Sequence, residues 1–151
     1  MGFFDGYDIA TSAMSAQRAR INVISANIAN AQTTRGVDGG PYKKQNVVFE
    51  EVLLDSINKT QKSPEMFENN SQLPLSTVKV ESIKQAKDQP VMKYDPSHPD
   101  ANKDGYVAFP NINPVIEMVD LMEAMKSYEA NVSAFSTHKN IDSKTLDILR
   151  A

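Results

Sequence analysis

Apolar side chains recur every three or four residues at both ends of the chain, whereas the middle repeatedly breaks that spacing. All eight prolines lie between Pro41 and Pro114, and residues 7–35 and 115–151 contain no glycine. Proline and glycine are the residues least compatible with a helix interior. The pattern therefore predicts an α+β chain that is mainly α, with one long helix at each end and an irregular middle containing short β-strands or a hairpin.

The N-terminal apolar stripe alternates steps of four and three residues, which is the spacing of a coiled-coil seam. Asp5 or Asp8 can cap this helix, because a carboxylate accepts hydrogen bonds from the free N–H groups of the first turn. An ordinary core helix would show the same stripe, but ~24 residues would span ~36 Å, which is long for a small domain. Polar residues from Asn30 to Gly36 end the helix. The stripe consists of Ala10, Met14, Gln17, Ile21, Ile24, Ile28 and Ala31.

A second stripe of the same spacing follows Asn113 and Pro114, which suit the N-cap and the first position of a helix. The stripe continues over about 36 residues, with acidic residues early and basic residues late, as the helix dipole favours. Lys139 and Asp142 interrupt it and indicate either a break or a layer that fixes register at some cost in stability. Its apolar members are Met118, Leu121, Met125, Tyr128, Val132, Phe135, Leu146 and Leu149.

In the middle of the chain, the positions of turn-forming residues predict most of the structure. Glycine and proline predict a loop over residues 35–46. Residues 47–54 form an apolar run that fits a strand or the start of a short helix, because short runs do not distinguish the two. Residues 58–74 are polar and contain proline, which predicts a mobile insertion. Strands are predicted at 77–81, 89–94 and 106–109, with a turn-dense connection over 95–105 and a small antiparallel sheet or hairpin as the result.

These elements divide the chain at two points. Residues 1–34 and 114–151 would form the two halves of one terminal helical domain, and residues 35–113 would lie outside it. The whole length of 151 residues suits one ordinary domain.

Composition narrows the classes of function. The net charge is −3, and acidic and basic residues are interspersed, which argues against a nucleic-acid partner. No run of about eighteen apolar residues is present, so we expect no direct membrane insertion. The first residues lack a basic region followed by an apolar one, so no cleaved signal peptide is expected. The absence of cysteine excludes disulfides and thiolate chemistry.

No motif in the sequence indicates a catalytic site, a cofactor or a metal. His98 and His138 lack zinc-ligand spacing, and neither a nucleophile elbow nor a phosphate-binding glycine loop is present. Residues 100–105 match the first half of an EF-hand calcium loop, with Asp100, Asn102 and Asp104 as possible ligands. The twelfth position, however, is Asn111 instead of a bidentate glutamate, and prolines occupy the place of the preceding helix. A solvated turn is therefore the preferred interpretation.

Residues 25–34, Ser-Ala-Asn-Ile-Ala-Asn-Ala-Gln-Thr-Thr, resemble the A-N-[LI]-A-N-x-x-T signature that closes the N-terminal helix of bacterial flagellar rod and hook proteins. Further segments narrow the resemblance to the proximal rod proteins of this flagellar basal-body family. Residues 58–74 match nothing in the family, and Gly36-Val37 departs from the Gly-Tyr common in its relatives. The further matching segments are 39–49, 95–101, 105–114, 117–124 and 127–132.

The resemblance implies a structural subunit of the periplasm-spanning rod of the basal body, with no catalytic role and no cofactor. It implies that the terminal helices pair in a coiled-coil-like domain lining the inner tube of the rod. It also implies helical stacking with other rod subunits, a link to the base of the membrane ring, export through the flagellar type III apparatus, and transmission of torque.

Under this interpretation the two stripes are the assembly interface, because seams left partly unpaired in a monomer are covered only by neighbours. We then expect both termini to be disordered in the free subunit. The sequence leaves open a second function, a soluble helical adaptor or export chaperone acting as a dimer, although such a protein needs no proline-rich middle. The predicted interface residues are Met14, Ile21, Ile24, Asn27, Ile28, Asn30, Met118, Leu121, Met125, Tyr128, Val132, Phe135, Leu146 and Leu149.

Overall fold

A computed structural model of the chain describes residues 5–36, 38–54 and 75–150. Its elements confirm the prediction of a mainly helical α+β chain with a long helix at each end and short strands between them. The mobile insertion predicted at 58–74 lies outside the described residues. The elements are α1 (Asp5–Ala29), β1 (Gln45–Leu53), β2 (Ser76–Gln85), β3 (Val91–Tyr94), β4 (Tyr106–Phe109) and α2 (Pro114–Arg150).

Helix α1 is the central element, because α2 packs along one side of it and the β1–β2 ladder packs along another. Its buried surface is consequently broader than the predicted stripe. Ala10 and Ile24 of the stripe are buried, and so are Ala16 and Val23, which lie beside it. At its start, Ser12 and Thr77 of β2 form a hydrogen bond between their hydroxyls.

Both predicted helix ends are confirmed. Helix α1 ends at Ala29, where the Ala26 carbonyl accepts both the backbone N–H of Asn30 at 3.0 Å and the Asn30 side-chain amide at 2.9 Å. Helix α2 begins at Pro114, and Asn113 Oδ1 accepts a hydrogen bond of 3.0 Å from the N–H of Val115. Asn113 is therefore the N-cap that the sequence indicated.

The apolar run at 47–54 is a strand, not a helix. Strand β1 begins at Gln45 and pairs antiparallel with β2, with an irregular register after Val48. The loop predicted over 35–46 is therefore two residues shorter at its end, and β2 runs beyond the predicted 77–81. The ladder is closed at its far end by a backbone hydrogen bond of 2.9 Å from the N–H of Leu54 to the carbonyl of Leu75.

Strands β3 and β4 form the predicted antiparallel hairpin, with Val91 opposite Phe109 and Tyr94 opposite Tyr106. Gly105 closes the connection with a φ of +79°, a conformation that favours glycine. A Cβ added there would also lie 2.9 Å from the ring of Tyr94. The positive φ is therefore the reason that the turn favours glycine at this position.

Helices α1 and α2 run antiparallel, so that the start of α1 lies against the second half of α2. The Tyr7 ring packs edge-on against Phe135, with 5.1 Å between the centroids, and the Tyr7 hydroxyl donates to Asp142 at 2.5 Å. The 37 residues of α2 extend about 55 Å, whereas the 25 residues of α1 extend about 37 Å. The inner face of α2 repeats in steps of four and three, as in a coiled coil, and comprises Glu117, Leu121, Ala124, Tyr128, Asn131, Phe135 and Asp142.

Candidate functional site

The part of the chain that the structure describes offers no group of three or more metal-ligating side chains. Two of the three side chains considered as calcium ligands, Asp100 and Asn102, make hydrogen bonds within the fold. Asn102 Oδ1 accepts hydrogen bonds from the N–H groups of Asp104 and Tyr106, at 3.0 and 2.9 Å. Within residues 5–36, 38–54 and 75–150, no helix has the length and apolar character needed to cross a membrane. The candidate site is therefore a surface and the buried contacts that shape it.

A buried polar cluster joins the end of α1, the loop before β1 and the start of α2. We call it the polar clasp, and its members are Asn27, Tyr42, Lys44, Gln45 and Glu117. Asn27 and Glu117 are each 1 % exposed, so the cluster lies in the interior where α1 meets α2. Buried polar groups need hydrogen-bond partners, and the clasp supplies them between elements far apart in sequence.

The side-chain amide of Asn27 uses its full hydrogen-bonding capacity in the clasp. Its Nδ2 donates to the Gln45 carbonyl at 2.9 Å and to Glu117 Oε2 at 3.2 Å. Its Oδ1 accepts from the Gln45 N–H at 2.9 Å and from the Tyr42 hydroxyl at 3.1 Å. Asn27 thus pairs with the backbone of Gln45 as a neighbouring strand would, and this accounts for the first asparagine of the A-N-I-A-N motif.

The charge of Glu117 is balanced within the same cluster. Glu117 Oε1 lies 2.6 Å from Lys44 Nζ, and the lysine side chain is 27 % exposed while the glutamate side chain is 2 % exposed. Burial raises the pKa of the Tyr42 hydroxyl above its ordinary value, and the negative charge of Glu117 raises it further. The clasp therefore holds one buried ion pair and a neutral tyrosine beside it.

The two signature segments that carried the resemblance contact each other. The Thr34 hydroxyl donates to Asp100 Oδ2 at 2.8 Å, and Arg35 Nε lies 3.8 Å from Asp100 Oδ1. Asp100 belongs to the connection between β3 and β4, so the hairpin is attached to the loop that follows α1. Both segments carry the resemblance to the family, but the resemblance does not predict that they contact each other.

The outer surface of α2 carries a row of exposed apolar side chains, which Glu129 interrupts between Met125 and Val132. We call it the α2 stripe, and its members are Val115, Met118, Met122, Met125 and Val132. These side chains are between 42 % and 69 % exposed. Their spacing of three, four or seven residues places them on one flank of the helix, beside the face that contacts α1. An exposed apolar row of this length is typical of a protein–protein contact.

The structure places the predicted interface residues in three environments. Ile24 and Asn27 are buried within the chain, so they shape the helix pair and present no surface to a neighbour. Half-buried positions are Met14, Ile21, Ile28, Asn30, Leu121, Tyr128 and Phe135. Exposed positions are Met118, Met125, Val132, Leu146 and Leu149.

The inner face of α2 lies partly one residue before the predicted stripe, because Glu117 and Ala124 are buried where Met118 and Met125 are exposed. The stripe prediction favoured the larger apolar residue at each step and so missed Glu117. It also left out Val115 and Met122, whose spacing of seven residues was the available signal. Lys44 and Gln45 carried no sequence signal for their roles, since they act through partners distant along the chain.

Comparison with known proteins identifies two family matches on this chain. Residues 8–35 match the model described as "Flagella basal body rod protein", and residues 103–148 match "Flagellar basal body rod FlgEFG protein C-terminal". The first match contains most of α1 and the A-N-I-A-N motif, and the second contains nearly all of α2.

Similar curated proteins align over nearly the full length. The flagellar basal-body rod protein FlgC of Borreliella burgdorferi is 40 % identical, with 99 % of each chain covered. The protein of the same name from Bacillus subtilis is 38 % identical, over 98 % of this chain and 99 % of its own. The FlgC of Salmonella typhimurium is 36 % identical over 98 % of both chains.

Proposed function

The chain belongs to the FlgC family of bacterial flagellar basal-body rod proteins, and from this membership we infer that it is a structural subunit of the proximal rod. Its location is the flagellar basal body, and it associates there with other rod subunits. We propose that it polymerises through its terminal helices and so links the base of the membrane ring to the distal rod and transmits torque. The α2 stripe is the observation that supports this proposal best.

The stripe suits an assembly contact because the chain itself leaves it uncovered. Helix α2 buries its inner face against α1, while Val115, Met118, Met122, Met125 and Val132 stay in contact with solvent in the isolated chain. Covering apolar surface contributes about 25 cal/mol per Å² removed from water. A stripe on one molecule that meets a different surface on the next gives a heterologous contact, which continues as a helical assembly if it does not close into a ring.

The test is a charge placed on the stripe. Met122→Glu, expressed in a bacterium that lacks its own copy of the protein, is expected to abolish swimming in soft agar and to leave the subunit out of purified basal bodies. Ala130→Glu is the matched control, because Ala130 is an exposed position of α2 outside the stripe and receives the same charge. It is expected to retain both swimming and incorporation.

Two measurements decide the outcome. Because both positions are exposed, we expect both variants to fold, and far-UV circular dichroism of the purified proteins checks this. If Met122→Glu, and also Met118→Glu combined with Met122→Glu, enters basal bodies as well as Ala130→Glu does, the α2 stripe is not an assembly contact.

The remaining roles follow from family membership and are proposals for this chain. We propose that the subunit leaves the cytoplasm through the flagellar type III export apparatus, without a cleaved signal peptide, and occupies the periplasm-spanning part of the rod without catalytic activity. The absence of cysteine is compatible with passage outside an oxidative folding pathway. Accumulation of the protein inside cells whose type III export gate is deleted, but not in cells whose general secretory pathway is blocked, is the expected result.

The free subunit is proposed to order its terminal helices fully only on assembly. Among the described residues, four of the seven buried apolar side chains are alanines, namely Ala10, Ala16, Ala31 and Ala124, so the helix pair buries little apolar surface. Helices of this kind depend on packing for their stability. Hydrogen exchange on dilute monomer is expected to show weak protection over 10–31 and 118–149, and strong protection there would refute the proposal.

A further inference from the structure

The helix pair buries a single carboxylate, and it lies at one end of an interface that otherwise repeats. Within the described ranges, Glu117 is the one charged residue that is buried. Beyond it, the inner face of α2 alternates a bulky and a smaller side chain every seven residues, as Leu121 with Ala124 and Tyr128 with Asn131 show. A shift of one helix past the other by seven residues exchanges Leu121 for Tyr128 and Ala124 for Asn131, so the order of bulky and smaller positions is kept in either alignment.

Glu117 does distinguish between them, because its partners lie on other elements. One oxygen is 2.6 Å from Lys44 in the loop before β1, and the other accepts a hydrogen bond of 3.2 Å from Asn27 of α1. In a shifted alignment the carboxylate loses both Lys44 and Asn27. A buried charge without a partner is strongly unfavourable, whereas the same charge with good partners is tolerated.

At the opposite end of the helix pair, the side chains distinguish less strongly between the two alignments. There the Tyr7 hydroxyl donates to Asp142, but Asp142 is only half-buried and lies where the helix surface is mostly exposed. Water can replace the tyrosine as a partner at such a position, so a shift there carries a small penalty.

We propose that Glu117 is the positioning residue that selects one alignment of α2 on α1. Through Lys44 it also fixes that alignment relative to the start of β1. The alignment determines where along the axis of α1 the α2 stripe lies relative to the β1–β2 ladder. It therefore determines the surface that the subunit presents. The inference concerns the alignment within one chain and holds whether or not the stripe is an assembly contact.

The test uses the absence of cysteine in the chain, because pairs of introduced cysteines then report alignment without interference. Gly6 lies beside His138, since a Cβ at Gly6 would be 3.1 Å from the histidine ring. Gly6→Cys with His138→Cys therefore reports the observed alignment. Gly6→Cys with Asn131→Cys, or with Thr145→Cys, reports a shift of seven residues in either direction. Each full-length protein is equilibrated in a thiol–disulfide buffer, and the cross-linked fraction is measured by mass spectrometry.

With Glu117 present, the cross-link to position 138 is expected to exceed either shifted cross-link about tenfold or more. Glu117→Leu keeps the volume and removes the charge, and it is expected to lower that ratio to about twofold. Lys44→Met, which leaves Glu117 without its cation, is expected to lower the ratio as well. Lys44→Arg keeps the positive charge and is the matched control, with the original ratio.

If Glu117 only stabilised the fold, these substitutions would lower the urea midpoint and leave the cross-linking ratio unchanged. If the ratio is the same in Glu117→Leu, Lys44→Met and Lys44→Arg, the proposal is wrong. If Glu117→Leu does not fold, as judged by circular dichroism, the comparison of Lys44→Met with Lys44→Arg decides alone.

Discussion

Helices α1 and α2 have similar apolar stripes in the sequence but opposite surroundings in the structure. Helix α1 lies between α2 and the β1–β2 ladder, and its outward side carries small or polar residues such as Thr11, Ser15 and Asn22. Helix α2 is covered on one side only, and its uncovered side includes Ile116 and Met122. The comparison teaches that a repeating apolar stripe indicates a helix that packs, but not whether the partner belongs to the same chain.

The difference suggests a division of roles within the subunit. Helix α1 works as an internal support whose contacts lie within the chain, whereas α2 offers apolar surface to whatever lies next to it. Substitutions on α1 should therefore lower the stability of the isolated chain, and substitutions on the outer side of α2 should leave it unchanged. The predictions below test this contrast.

The largest effect is expected at the polar clasp. Asn27→Ala removes four hydrogen bonds in the interior and leaves groups of Gln45, Tyr42 and Glu117 without that partner. We expect a loss of about 3 kcal/mol in the free energy of unfolding, measured by urea denaturation. Asn30→Ala, at the half-buried end of the same helix, is the comparison and should lose only about 1 kcal/mol. Equal losses at the two positions would contradict the role given to Asn27.

A smaller effect is expected when one substitution is placed on the two sides of α2. Ala124 is 0 % exposed against α1, so Ala124→Leu overfills the contact and should lower the free energy of unfolding by about 1–3 kcal/mol. Ala130 is exposed, and Ala130→Leu should change it by no more than about 0.5 kcal/mol. The contrast between the inner and outer sides of α2 fails if both variants unfold at the same urea concentration.

The smallest effect is expected at alkaline pH. The pKa of Tyr42 is raised by burial and by Glu117, so folding favours its neutral form. That contribution to stability is complete below the ordinary tyrosine pKa of about 10 and is lost as pH rises through the raised value in the folded chain. As pH rises through that range, the urea midpoint should therefore fall less steeply in Tyr42→Phe than in the parent. Tyr94→Phe, on the exposed hairpin, should follow the parent.

The sequence predicted the local structure well because local structure depends on nearby residues. The proline and glycine distribution predicted both helices, Asn113-Pro114 predicted the start of α2, and the turn-dense connection over 95–105 predicted the β3–β4 hairpin. Residues 47–54 stayed ambiguous, because the choice between strand and helix was made by pairing with β2. That pairing joins segments separated by about twenty residues, which a pattern read along the chain does not contain.

The candidate surface was predicted only in part, for a different physical reason. Ranking residues by hydrophobicity placed Met118 and Met125 on the predicted stripe, but Glu117 and Ala124 are the residues that are buried there. A buried glutamate is explained only by its lysine, and Lys44 lies far away in sequence. The A-N-I-A-N motif likewise signalled family membership, while its first asparagine acts through the backbone of Gln45.

The hydrogen bond between Leu54 and Leu75 has a consequence for how this chain can vary. The backbone leaves the β1–β2 ladder and returns to it at two residues joined by a hydrogen bond of 2.9 Å, which fixes the distance between the two ends of the connection. Doubling the length of such a closed connection costs only about 0.6 kcal/mol. We therefore expect that an epitope tag or a fluorescent domain inserted between these two residues costs the fold little stability.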